Sequence, residues 1–242
     1  MKGRADTPPQ PGGAEGAERA FFGRRKGKRL RAGQEQRLAE LLPKLRLTLP
    51  EPGTFLDPPA VFPDPVEEVW LEIGFGGGEH LAANALRHPG IGIIGAEPFV
   101  NGVVKLLRAV DDEDLRNVRI WDEDATTLLA ALPDAALARV YLLYPDPWPK
   151  RRQRKRRFVS DESLAEIARV LKPGGVFRFA SDIDDYAGWT LVRARRSASL
   201  AWTAKAAIDW TRPWPDWPGT RYEAKAVAAG RRPTYLEFRR TS

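Results

Sequence analysis

The chain has 242 residues and a mass of 27.0 kDa, enough for one sizeable core or for one domain plus an extension. With no cysteine and two histidines, His80 and His88, it excludes disulfides, thiolate catalysis and Cys- or His-rich metal sites. A formal net charge of +7, no run of 18 apolar residues and no signal-peptide core lead us to expect a cytoplasmic protein without a membrane or metal partner.

The positive charge is clustered. Arg24 to Arg31 reads RRKGKRLR, and of the residues Lys150 to Arg157 only Gln153 is neither Lys nor Arg. Thinner groups follow at Arg193 to Arg196 and Arg231 to Arg240. Clustered basic charge without an amphipathic or lipidation pattern favours nucleic acid over membrane as partner.

Residues 1–20 are rich in Pro, Gly, Ala and Glu and are expected to be a disordered tail. Residues 21–49 form a basic arm and a short amphipathic helix, with Leu38, Leu41 and Leu42 at helical spacing and an end near Pro43. The proline-rich stretch from Pro50 to Pro65 reads as a linker, and within residues 50–242 a regular alternation begins after it. Strands are predicted at 69–73, 91–96, 118–121, 139–144 and 176–180, with helices at 79–87, 99–110, 125–132, about 160–171 and 185–196. Ser160 caps the fourth helix, with Asp161 and Glu162 well placed in its first turn. Lys172-Pro-Gly-Gly175 is a sharp turn, and the tail holds four tryptophans before a last strand at 234–239. Strands separated by helices predict an α/β fold with a doubly wound, mostly parallel sheet and a basic N-terminal extension.

In such a sheet ligands bind outside the carboxyl ends of the strands. Acidic residues stand at five consecutive ends: Glu72, Glu97, Asp124, Asp146 and Asp182. One alone would usually be a cap or a solvated charge; five together indicate a site. The loop Gly74-Phe-Gly-Gly-Gly78 resembles a dinucleotide motif but continues into Glu79, and a carboxylate at a helix start repels pyrophosphate. A cationic cofactor without phosphate fits better, and S-adenosylmethionine is one. Glu72 suits its amino-acid end, Glu97 its ribose hydroxyls and Asp124 its adenine amine.

The fourth strand runs into Pro145-Asp-Pro-Trp-Pro149, where the prolines forbid both ladder and helix and hold Asp146 rigidly beside the second basic block. That block, Lys150 to Arg157, is expected to neutralise phosphates that the carboxylate would repel, so that removing Arg154 to Arg157 weakens nucleic-acid binding. Trp148 either stacks on an extruded base or packs the loop, and His80 reads as a packing or capping residue rather than a catalyst.

LEIGFGGGEHL (71–81), GAEPFVNGVVKLL (95–107), YLLYPDPWPKRRQRKRRF (141–158), LKPGGVFRFASDIDDY (171–186) and GTRYEAK (219–225) resemble the bacterial tRNA (guanine-N7-)-methyltransferase family. The PDPWPK block and the TRYE motif are specific to that family; the glycine loop and the KPGG turn are common to class I methyltransferases. The resemblance implies a Rossmann-like class I fold over residues 50–242 and methylation of the variable-loop guanine, position 46 of tRNA, by S-adenosylmethionine. It implies cofactor binding by Glu72, Gly74, Gly76, Glu97 and Asp124, and catalysis by Asp146. It also implies substrate contacts from Lys150, Asp182, Thr220, Arg221, Tyr222 and Glu223; the sequence does not choose between monomer and homodimer. Ser181 stands where the family usually has Thr, which keeps the hydroxyl. Alternative readings are a class I methyltransferase of another RNA or a protein, and a non-catalytic RNA-binding protein.

Overall fold

The computed structural model describes residue 23 and residues 25–242, so the expected tail at 1–20 lies outside the described residues. Among these, β1 (Glu68–Ile73), β2 (Ile91–Ala96), β3 (Val118–Trp121), β4 (Leu137–Leu143), β5 (Leu171–Ser181), β6 (Leu200–Trp202) and β7 (Thr234–Arg240) form one sheet in the order β3-β2-β1-β4-β5-β7-β6. The first five strands are parallel; β7 runs antiparallel to both β5 and β6. The helices are α1 (Ala32–Leu45), α2 (Glu79–Arg87), α3 (Val100–Asp112), α4 (Ala125–Ala131), α5 (Asp161–Val170), α6 (Asp184–Ala194), the single turn α7 (Ile208–Thr211) and α8 (Arg221–Ala228).

Alternation along each strand divides the core in two. Leu71, Ile94, Val140 and Phe177 face Leu128, Leu164, Ile167 and Tyr186 of α4, α5 and α6. Trp70, Ile93, Ile120 and Tyr141 face Leu42, Leu81, Leu106 and Leu107 of α1, α2 and α3. Both faces are covered, which is why these strands read as continuous apolar runs. The chain winds outward in one direction from β1 and in the other from β4, so a crevice opens at the carboxyl ends of these two central strands.

Helix α1 ends at Leu45, near Pro43 as expected; Leu42 is buried and Leu45 packs on the same core, which offsets the missing N–H. Two expectations need correction. The stretch 50–65 is a packed strap rather than a free linker. Leu56 and Phe62 are buried, Leu56 N–H donates to the Ala131 carbonyl at 2.8 Å, and Leu47 N–H ahead of it donates to Ile120 at 2.8 Å. The KPGG turn is a bulge inside β5, where the register jumps between Leu137 and Arg139, with Gly174 at φ 77°. Ser160 caps α5 as expected, accepting from Ser163 N–H at 3.2 Å.

Candidate active site at the strand ends

The glycine loop and β2 are joined by one carboxylate. Gly76 N–H donates to Glu97 Oε2 at 2.8 Å, and Phe99 N–H donates to Oε1 at 2.9 Å. Gly74, Gly76 and Gly78 all have positive φ, which a side chain would strain. Helix α3 presses on the same loop: a Cβ on Gly102 would lie 2.0 Å from the Gly76 carbonyl oxygen. Burial is the main cause that raises the Glu97 carboxyl above its ordinary range; the two N–H donors oppose it, and the charge of Asp146 adds to it.

At the end of β3, Asp124 caps α4, its Oδ1 accepting from Thr126 N–H and Oγ1, each at 2.9 Å. At the end of β4 the chain leaves the sheet sharply, with Tyr144 at φ 50° and Trp148 at φ 40°. Asp146 is exposed to the crevice, and the Arg156 guanidinium sits 5.0 Å from the centre of the Trp148 ring. Gly74, Gly76, Glu97, Asp124, Asp146, Trp148 and Tyr222 line one cleft of about 580 Å³. Ile73, Ala96, Phe99, Ala125 and Leu142 give it apolar walls. Trp148 lines the cleft and is half-buried, with Arg156 over its ring.

The other expected residues do not line it. Glu72 is buried behind the loop, its Oε2 2.6 Å from Nδ1 of His80, which is itself buried against Tyr141 and Trp217. Asp182 accepts from Arg231 Nε at 2.6 Å. Lys150 is exposed at the start of a 3₁₀ turn, Arg151–Arg156, outside the cleft. Thr220 and Glu223 form the capping box of α8: Thr220 Oγ1 accepts from Glu223 N–H at 3.1 Å. The Glu223 carboxylate also accepts from Trp217 Nε1 at 2.7 Å and from the Tyr235 hydroxyl. Between them, Arg221 donates to the Tyr222 hydroxyl at 3.1 Å and lies 3.7 Å from Glu79, which leaves Tyr222 at the mouth of the cleft. The TRYE motif thus builds a helix start that presents Tyr222. Sequence reasoning missed Phe99 and the docking of the basic arm. Asn101 donates to the Lys28 carbonyl and accepts from Gly27 N–H, both at 2.7 Å, and Gly23 lines the cleft. The EPFVN run after β2 was the available signal.

The basic block divides as well. Lys150, Arg151, Arg152 and Lys155 are exposed, whereas Arg157 is fully buried and cannot join the phosphate-facing group expected of it. The four tryptophans of the tail, Trp202, Trp210, Trp214 and Trp217, pack on the two cores.

The cleft fits S-adenosylmethionine on its donor chemistry. Each Glu97 oxygen accepts one backbone N–H and keeps a lone pair for a hydroxyl, and the cleft combines apolar walls with carboxylates. Sheet order, glycine loop and strand-end acids together define a class I S-adenosylmethionine-dependent methyltransferase. The family described as "Putative methyltransferase" matches residues 66–236. The chain is 56% identical to the tRNA (guanine-N(7)-)-methyltransferase of Azorhizobium caulinodans over 91% of its own length and 95% of the relative. It is 55% identical to that of Rhizobium meliloti over 93% and 96%. It belongs to the tRNA (guanine-N(7)-)-methyltransferase family, whose members methylate guanine N7 in tRNA with S-adenosylmethionine. The solved structure of a precorrin-6y C5,15-methyltransferase from Geobacter metallireducens has the same fold, with a TM-score of 0.50 at 17% identity, covering 89% of this chain and 94% of that one.

Proposed function

We propose that this chain methylates N7 of the variable-loop guanine, position 46 of tRNA, with Glu97 and Asp124 holding S-adenosylmethionine and Asp146 facing the base. The observation that carries this reading is the single cleft that unites the three carboxylates with Trp148 beside an exposed basic turn. When bound, the cofactor supplies an electrophilic methyl on a sulfonium that leaves as a neutral thioether.

Guanine N7 is an in-plane lone pair without a proton, so its attack needs no general base. What accelerates such a transfer is alignment, together with a fixed anion where positive charge grows on the purine. Asp146 meets the second need, since Pro145 and Pro147 restrict its backbone, and its carboxylate also matches the N1–H and N2 amine of guanine. Trp148 and Tyr222 offer faces for an extruded base. Glu72, paired with His80 behind the loop, backs the part of the cleft where we place the amino end of the cofactor. Lys150 and its neighbours meet phosphates, and Asp182 with the TRYE segment shapes the substrate side.

Among the described residues no helix is long and apolar enough to cross a membrane, and no cluster of three or more metal-ligating residues occurs. A cytoplasmic enzyme acting on tRNA as monomer or homodimer is the reading we favour. Incubation of the purified protein with labelled S-adenosylmethionine and unmodified tRNA, followed by mapping of the product, tests it. The expected product is 7-methylguanosine at position 46. Label at another base, in protein or nowhere overturns it.

A further inference from the structure

We infer that Arg157 is a positioning residue that holds the Pro145–Pro149 loop, and with it Asp146 and Trp148, against helix α6. It is the last of the eight residues of the basic block, yet its side chain has no exposure to solvent. Its Nε donates to the carbonyl of Pro147 at 2.8 Å, one peptide from Asp146. Its Nη2 pairs with Asp185 Oδ2 in the first turn of α6. The guanidinium lies 4.7 Å from the ring centre of Tyr186 and 5.0 Å from that of Trp189, both on the same helix.

Each contact adds a constraint that a phosphate ligand would not need. A planar guanidinium can donate in two fixed directions while its faces stack on aromatic rings; a lysine ammonium cannot do all of these at once. Helix α6 is also fixed to the far side of the same segment, since Trp189 Nε1 donates to the Val159 carbonyl at 2.8 Å. The loop it restrains has left the sheet: the bond from Tyr144 N–H to the Ala180 carbonyl at 2.8 Å precedes it, and Trp148 then takes a positive φ. A loop of this kind needs an anchor if Asp146 is to stay within the tolerance that in-line transfer demands. Asp185 also pairs with Arg154 at 2.7 Å, so the anchor reaches the turn that carries the exposed cations.

This inference rests on Asp146 being the carboxylate that faces the base, and the test separates the two. Arg157→Lys, Asp185→Asn, Arg151→Ala, Asp146→Ala and the Arg157→Lys/Asp146→Ala pair are compared at saturating cofactor and tRNA. The readouts are kcat, tRNA Kd against salt, and melting temperature. A displacement of the loop by about 1 Å predicts that Arg157→Lys lowers kcat on the order of 100-fold, with tRNA Kd and salt slope close to wild type. Asp185→Asn follows in the same direction and by less; should Arg157→Lys not fold, it carries the test alone. Arg151→Ala shifts the salt slope. The double variant loses less than the product of the two single losses, because Arg157 acts through the loop that carries Asp146. A reduced salt slope for Arg157→Lys with kcat retained overturns the inference and makes Arg157 a phosphate ligand. A lowered melting temperature with kcat retained overturns it in favour of packing alone. Turnover retained in Asp146→Ala overturns the reading of Asp146 by itself, and the kcat of Arg157→Lys then still reports on the loop and Trp148.

Discussion

The backbone N–H of Gly76 donates to Oε2 of Glu97, 21 residues further along the chain, and so one buried carboxylate fastens the glycine loop to the end of β2. The same carboxylate is raised in pKa by its burial and retains acceptor capacity toward the cleft. A raised value means that the folded apoprotein binds this proton more tightly than the unfolded chain does. The contribution of Glu97 to stability is therefore full below the ordinary carboxylate range and is lost as pH rises through the raised value.

If Glu97 accepts from the cofactor hydroxyls as proposed, it does so ionised, and binding expels the proton. Affinity for S-adenosylhomocysteine should climb with pH across the window between the ordinary and the raised value, by up to about one decade per pH unit. Calorimetric titration at a series of pH values measures it, and Glu97→Gln should flatten the profile. A flat wild-type profile would remove Glu97 from the cofactor site.

Asp146→Ala should lower the single-turnover rate by about 10² to 10³, the range for removal of a fixed group that stabilises developing charge. Cofactor affinity should stay nearly unchanged if, as proposed, Asp146 faces the base rather than the cofactor. Asp146→Asn should fall as far as Ala, because the amide keeps the shape and loses the charge. An active Asn variant would show that the negative charge of Asp146 is not what the reaction needs.

Simultaneous replacement of Arg151, Arg152 and Lys155 by Ala should weaken tRNA binding and reduce its salt slope by about 0.9 for each phosphate no longer neutralised. These side chains are exposed on the 3₁₀ turn. Filter binding between low and moderate salt decides the matter, and an unaltered slope would leave the turn a solvated face.

Gly102→Ala would place a methyl group against the Gly76 carbonyl oxygen, which is backbone and cannot swing aside. The cost should be about 1–3 kcal/mol of stability, read from urea midpoints, as for other overpacked sites. Because the displaced atom belongs to the glycine loop, affinity for S-adenosylhomocysteine should fall in the same variant. Stability lost without affinity would show that the loop yields independently of the cleft.

Much of the fold was legible because the signals are local. The alternation of apolar runs and helical periods located β1 to β5 and the helices between them to within a few residues. The acids at the strand ends could be marked as a site because parallel strands bring their carboxyl ends to one edge whatever the side-chain details. Strand β6 escaped notice: three residues carry too little pattern, and it exists by pairing with β7. The bulge in β5 likewise depends on its neighbour β4.

What the linear order determined, then, was which residues stand at the ligand edge and which family's motifs they belong to. Only the tertiary structure decided the work of each side chain there. Arg157 and Arg151 are the same residue type six positions apart, but Asp185, 28 residues beyond Arg157, takes the first out of solvent. Glu72 and Glu97 both end strands, yet one turns to His80 and the other to the cleft. Glu223 is drawn to Trp217 and Tyr235, which leaves Tyr222 to face the site. Periodicity fixes which way a backbone runs; the partner of a polar side chain is chosen by whichever groups burial brings within hydrogen-bonding distance, and those lie far away in sequence.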